Sequence, residues 1–156
     1  MAKGKTSDIK IISKNRKAFH DYHIEDKIEA GMSLMSSEVK SLRDGKANLA
    51  DSYAMIKRGE VWLLHAHIAP YAPASYANHE PRRERKLLLN RSEIIKLSVK
   101  LKERGYTLIP TMLYFRRGRA KVELGLAHGK RQYDKRAAIK ARESKRELSR
   151  TLRRGR

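Results

Sequence analysis

Two short basic segments constrain this chain more than any other feature. Lys57-Arg58-Gly59-Glu60 and Arg116-Arg117-Gly118-Arg119 each interrupt a pair of β-prone runs with a glycine able to take positive φ. The first lies between Tyr53, Ile56 and Val61, Trp62, Leu63, Leu64, Ile68, and predicts a hairpin over residues 52–68. The second joins 106–115 to 120–127, where Val122, Leu124 and Leu126 alternate with Lys121, Glu123 and Gly125. Ahead of both, Tyr22, Ile24, Ile28, Ala30, Met32 and Leu34 fall on even positions, broken only by Asp26. That period predicts one long half-buried strand, with Gly31 marking a bulge or a bend. A short helix with Ser37 as N-cap ends at Asp44-Gly45, and a helix of about three turns runs from Ser92-Glu93 to Gly105. Leu87-Leu88-Leu89 reads as a strand or a buried helix entry, and the basic knot before it, Arg82 to Lys86, as facing solvent or a polyanion. The fold class is therefore mainly β with accessory helices: a small, closed or nearly closed antiparallel barrel of the OB-like kind.

A length of 156 residues allows one such domain and a tail. The net charge of +20 is concentrated at the ends: residues 1–17 carry +5 and residues 130–156 carry +9, leaving +6 for everything between. Basic arms on an ordinary middle imply a polyanionic partner, the bland alternative being a solubilising tail without a target. The expected division is a flexible basic N-terminal arm over 1–13, the barrel over 14–129 and a basic tail over 130–156. In the tail Ala137, Ala141, Leu148 and Leu152 make an apolar stripe too thin to hold a helix on a core, and like charges at i,i+4 repel, Arg131 with Lys135 and Arg136 with Lys140. The tail is expected to be disordered when free and helical on RNA. No cysteine is present, which excludes disulfides, thiolate zinc sites and a cysteine nucleophile. No apolar window spans a membrane and no secretory signal opens the chain, so a cytoplasmic protein is expected.

The residues that could carry chemistry favour binding over catalysis. His20 and His23 are expected on opposite faces of a strand, and His65 and His67 share a hairpin face but have no acidic doublet beside them, so no metal site is expected. The carboxylates are scattered singly and no phosphate-cradling glycine loop is present, so neither an enzyme nor a cofactor is expected. Asn15-Arg16-Lys17-Ala18-Phe19-His20-Asp21-Tyr22 instead interleaves amide, guanidinium, ammonium, imidazole and phenol groups, those that hold phosphates, read base edges and stack on unpaired bases. Its alternative is a basic strand edge with Phe19 and Tyr22 in the core. Gly129-Lys130-Arg131-Gln132-Tyr133-Asp134-Lys135-Arg136 joins four cations to one tyrosine, equally suited to stacking or to packing.

Asn15-Arg16-Lys17-Ala18-x-His20-Asp21-Tyr22, Glu29-Ala30-Gly31, Glu38-Val39-Lys40-Ser41-Leu42-Arg43, Asp51-Ser52-Tyr53, Arg85-Lys86-Leu87-Leu88-Leu89, Lys121 to Ala127 and Gly129 to Arg136 together resemble the bacterial SsrA-binding proteins, the small protein B family, in order and spacing over residues 14–142. The resemblance implies an OB-like barrel that binds the tRNA-like domain of transfer-messenger RNA, one protein per RNA, and a tail that enters the decoding centre of the small ribosomal subunit when stalled ribosomes are rescued. It carries RNA binding over to Asn15, Arg16, Lys17, His20, Tyr22, Glu29, Leu88 and Lys121. It carries the ribosomal role to Gly129, Lys130, Arg131, Tyr133, Asp134, Lys135, Arg136, Ile139 and Lys140. Ser36-Ser37 departs from a more usual glycine, and Arg131 replaces a lysine with a planar fork. A carboxylate at Glu29 that faces a polyanion must orient something, either an arginine or an RNA donor. The runner-up is a structural ribosome-associated RNA-binding protein, and a nuclease stands third.

Overall fold

The computed structural model describes residues 8–103, 105–129 and 132–155, without the side chains of 75–77, 132–135 and 137–138. Nine strands and four α-helices follow in the order β1 (Ile9–Lys14), α1 (Arg16–Asp21), β2 (Tyr22–Met32), α2 (Ser36–Arg43), β3 (Ala47–Asn48), β4 (Tyr53–Lys57), β5 (Glu60–Leu64), β6 (His67–Ile68), β7 (Arg85–Leu88), α3 (Arg91–Leu101), β8 (Tyr106–Arg116), β9 (Arg119–Gly129) and α4 (Gln132–Arg154), with a 3-10 turn at Ala72–Ala77. Both expected hairpins form, each on a two-residue turn with both residues at positive φ: Arg58 and Gly59 at 51° and 75°, Arg117 and Gly118 at 50° and 76°. That turn geometry matches the right-handed twist of the flanking strands.

All pairings are antiparallel, and those of the main sheet form a ring: β8 to β4, β5, β7, β2, β9 and back to β8, with β1 laid along the free part of β8. The barrel interior holds Ala30, Leu42, Val61, Leu63, Leu87, Leu108, Leu113, Val122, Leu124 and Leu126, each within a few per cent of full burial. β3 and β6 pair separately.

Four expectations change. Residues 9–13 are not an arm, because β1 pairs with β8 from Ile9↔Arg116 to Lys14↔Met112 and Ile12 packs on the core. The even-numbered apolar residues of β2 do not share one face. A register shift between Ile24 and Asp26 turns Ile24 to the outer surface, where it joins Tyr22, Ala18, Ile109 and Ala127 in a second small core beneath α1. Gly31 is therefore not the bulge; it lies in register with both Leu88 and Lys121, and a Cβ there would stand 3.3 Å from Leu88 Cβ and 3.7 Å from Lys121 Nζ. Its missing side chain leaves room for both. At Gly125 a Cβ would lie 2.8 Å from Ile24 Cγ2, so that glycine makes the room the second core needs.

The third change is the basic knot. Alternation along β7 sends Arg85 and Leu87 inward and Lys86 and Leu88 outward, so Arg85 is fully buried. Its guanidinium donates from Nε to Glu38, from Nη1 to Ala66 O at 2.7 Å and from Nη2 to Pro81 O at 3.1 Å, and Arg83 donates to the other oxygen of Glu38. Beside them His79 Nε2 lies 2.9 Å from Ile68 O and its Nδ1 2.9 Å from Ser37 Oγ. Glu38 also accepts the Met35 N–H at 2.9 Å, and α2 starts two residues earlier than expected, with Met35 rather than Ser37 at its N-cap. α3 likewise takes its cap from Asn90, before Ser92, with Glu93 accepting the Asn90 N–H at 3.1 Å.

Fourth, the tail forms one helix of 23 residues rather than a disordered segment. Its composition explains this: Thr151 and Ile139 are its only β-branched residues, most of the others are Ala, Leu, Arg, Lys, Gln and Glu, and Glu143 and Glu147 stand three residues ahead of Arg146 and Arg150. Leu148 and Leu152 of the thin stripe are exposed, and so is Ile139. Lys130 and Arg131 lie outside the described residues. No described helix is long and apolar enough to cross a membrane.

Candidate nucleic-acid interface

The block Asn15 to Tyr22 folds as a helix between two strands, which sorts its residues by direction. Asn15 is 5% exposed. Its Oδ1 accepts the Ala18 N–H at 3.2 Å as N-cap, and its Nδ2 donates to Pro110 O at 2.9 Å and Leu49 O at 3.3 Å. With both ends of the amide used, Asn15 positions α1 and offers nothing to a base. Ala18 fills the second core, and Tyr22 packs half-buried against it. At 100° per residue, Arg16, Phe19 and His20 fall within one arc of α1, while Lys17 and Asp21 lie on the adjoining side. Lys17 Nζ meets Asp51 at 2.6 Å, a contact that raises the lysine pKa and lowers that of Asp51. His20 lies in the last turn of the helix, its Nδ1 2.9 Å from Asp21, and so is not on the strand that carries His23. His65 is at φ 63° after β5 ends and its ring lies 5.6 Å from that of Tyr53, whereas His67 belongs to β6. They do not share a hairpin face. Among the described residues no three His, Asp or Glu are grouped to hold a metal ion.

From α1 the outer face continues across β2, β9 and β8. Lys27 stands 5.2 Å over the Phe19 ring and 3.4 Å from Glu123, which also accepts from Thr111 Oγ1 at 2.9 Å. Next in register comes Glu29, opposite Glu123. Tyr114, 4% exposed, donates its hydroxyl to Glu29 Oε2, and Arg116 Nη1 donates to the same oxygen at 3.0 Å. Of the two anticipated partners for Glu29, this chain supplies the arginine. Partial burial pushes the Glu29 carboxyl up, but the two hydrogen bonds and the charges of Arg116 and Lys121 outweigh it and hold the group below the usual carboxylate range. Burial and the same bond push the Tyr114 phenol well up. Lys121 and Leu88, the latter 53% exposed, both border Gly31 beside them.

Glu29, Leu88 and Lys121, far apart in sequence, thus come together on one face, with Arg16, Phe19 and His20 on α1 at its edge. Sequence reasoning missed Tyr114 and Arg116. The alternation around Leu113 and Phe115, both in the core, puts Tyr114 and Arg116 on the opposite face and could have found them. Gly129 ends β9, near an aromatic group of His23, His128 and Tyr106 that surrounds Glu25, the Tyr106 hydroxyl donating to it at 2.9 Å. Arg136, Ile139 and Lys140 are exposed on α4. The side chains of Tyr133, Asp134 and Lys135 are outside the described set.

A small antiparallel barrel whose outer face carries exposed cations, a ring beneath a lysine and a carboxylate held by two donors is a nucleic-acid-binding barrel. The family described as SmpB protein matches residues 12–154. The SsrA-binding protein of Thermobifida fusca (strain YX) is 60% identical over 147 residues, covering 94% of this chain and 92% of its own. That of Desulfitobacterium hafniense (strain Y51) is 57% identical over 145 residues, covering 93% of each. A solved structure described as "tmRNA-SmpB: a journey to the center of the bacterial ribosome" superposes with a TM-score of 0.66 at 46% identity, over 85% of this chain and 95% of the other. This chain belongs to the SmpB protein family.

Proposed function

We propose that this chain binds the tRNA-like domain of transfer-messenger RNA and delivers it to stalled ribosomes for trans-translation, in the cytoplasm, one protein per RNA. Membership of the SmpB family supports the partners, since relatives are named for binding SsrA and a structural neighbour for tmRNA and the ribosome. The observation that carries the reading in this molecule is the outer face on which Leu88 and Lys121 flank Gly31, with Glu29 two residues away on the same strand. The work is recognition rather than catalysis. Exposed cations take phosphates, Phe19 and His20 offer rings, and Asn15 and Tyr22 serve by seating α1.

The tail has the second role. Tyr133, Asp134, Lys135, Arg136, Ile139 and Lys140 act on rRNA in the decoding centre, together with Gly129, Lys130 and Arg131. A preformed helix reaches that surface without the ordering cost of a disordered segment. The test is peptidyl transfer on ribosomes carrying a truncated message, run beside an RNA-binding titration. Tyr133→Ala, and more severely Asp134, Lys135 and Arg136 replaced together by Ala, should abolish transfer while RNA binding stays near normal. Full transfer by the triple variant overturns the tail's role, and parallel loss of both activities assigns it to the RNA-binding face instead.

A further inference from the structure

α3 is apolar on two sides, whereas a helix laid on a core needs only one apolar stripe. Ile94, Leu97 and Leu101 pack on the barrel interior. Ile95 and Val99, one turn apart on the other side, are 55% and 59% exposed although both are branched aliphatics. They line an open groove of about 590 Å³, to which β2 contributes Ile28 and β9 contributes Leu126. Beside them, shifted by one residue, runs a parallel row of Lys96 and Lys100, and Lys27 reaches the same rim from β2. Of the two acids on the rim, Glu93 spends its carboxylate on the Asn90 N–H at 3.1 Å, which leaves Asp26 against three lysines.

A row of exposed aliphatics next to a row of lysines fits one kind of occupant. Among the described residues no aromatic ring lines the groove for a base to stack on, and aliphatic side chains gain nothing from phosphate. A second copy of this chain fits no better. Its net charge is +20, and its exposed Leu148 and Leu152 belong to the helix that also carries Lys145, Arg146, Arg150 and Arg153. We propose that this groove docks an acidic amphipathic helix of a partner protein, which sets two apolar side chains one turn apart over Ile95 and Val99 and carboxylates over Lys96 and Lys100. Burial of the aliphatics supplies the affinity, and the lysine row selects acidic helices over basic ones. The inference stands independently of the RNA-binding roles proposed above.

The test titrates two synthetic helical peptides of equal length into the full-length chain, I95Q/V99Q and K96E/K100E, read by fluorescence anisotropy. Each peptide carries leucines one turn apart, flanked on both sides by Glu in one peptide and by Lys in the other. The parent should bind the Glu peptide and not the Lys peptide. I95Q/V99Q leaves Ile94, Leu97 and Leu101 in place to hold α3, so it should stay folded and keep the parent's affinity for the tRNA-like domain. It should nonetheless bind the Glu peptide roughly ten-fold more weakly, as two lost aliphatic contacts imply. K96E/K100E should reverse the preference and take the Lys peptide. Equal binding of the Glu peptide by the parent and I95Q/V99Q would show that net charge alone attracts it, and an unreversed preference in K96E/K100E would show that the lysine row selects nothing. A fall in RNA affinity in I95Q/V99Q would give the groove to RNA, and sedimentation in which the parent pairs with itself while I95Q/V99Q does not would give it to a second copy. Any of these results overturns the proposal, as does a parent that ignores the Glu peptide.

Discussion

Glu38 meets Arg83 and Arg85 with its side chain wholly out of water, whereas Glu29 meets Tyr114 and Arg116 on an outer face with a third of its side chain exposed. The chemistry of the two clusters is nearly the same, and in both the carboxyl is held below its ordinary range: burial raises it, and the donors more than offset that. Position separates their uses. The donors around Glu38 come from the start of α2, from β7 and from the loop between β6 and β7, so the cluster fastens those segments to one another. Around Glu29 both donors among the described residues go to one oxygen, Oε2. The first cluster is closed off by the fold and the second faces solvent.

The largest effect should come from Arg85→Met, which strands a buried carboxylate. Chemical denaturation should show a loss of roughly 3–5 kcal/mol, and a loss under 1 kcal/mol would show that Glu38 reaches water. Tyr114→Phe should cost about 0.5–1.5 kcal/mol for one hydrogen bond and also weaken RNA binding, an effect absent from Arg85→Met assayed where it is folded. Acid should act on both clusters with the same sign. Because Glu29 and Glu38 titrate below their ordinary value of 4.5 in the folded chain, the stability they contribute is complete above that value and lost as pH falls through the lowered one. Stability measured between pH 6 and pH 3 should therefore fall less steeply in Glu29→Gln than in the parent. Arg116→Met, the exposed counterpart of the first variant, should cost only about 0–1 kcal/mol while measurably lowering RNA affinity. Equal stability losses for Arg116→Met and Arg85→Met would dissolve the comparison.

The contrast also explains what the sequence disclosed. Local rules carried both hairpins, the two capped helices and the inward run of β9, because turn residues and alternation act over a few positions. Arg85 was misread because its run of cations is a local signal, while the carboxylate that compensates it is Glu38, 47 residues away. Asn15 was read as a possible base reader for the same reason, since Pro110 and Leu49, which use up its amide, are distant in sequence. β2 misled by one residue: a single extra position at the register shift moves Ile24 to the other face, and composition does not show it. The need for a partner at Glu29 was legible from charge alone, but not which donors would answer it, because Tyr114 and Arg116 arrive only when β8 has paired with β9 and β9 with β2.

The ring of pairings has a consequence for how the chain is made. β8 is the seam, joined to β1, β4 and β9, and β2 finds its long partner only in β9, with Tyr22 opposite Gly129. During synthesis from the N-terminus four strands of the ring, β2, β4, β5 and β7, emerge before the strand that unites them; they can pair with one another, but the ring does not close until β9 has been added. Contacts so distant along the chain are slow to form. A nascent chain interrupted anywhere before the second hairpin therefore holds no closed barrel at all, only open edges of the sort that chaperones capture and proteases destroy.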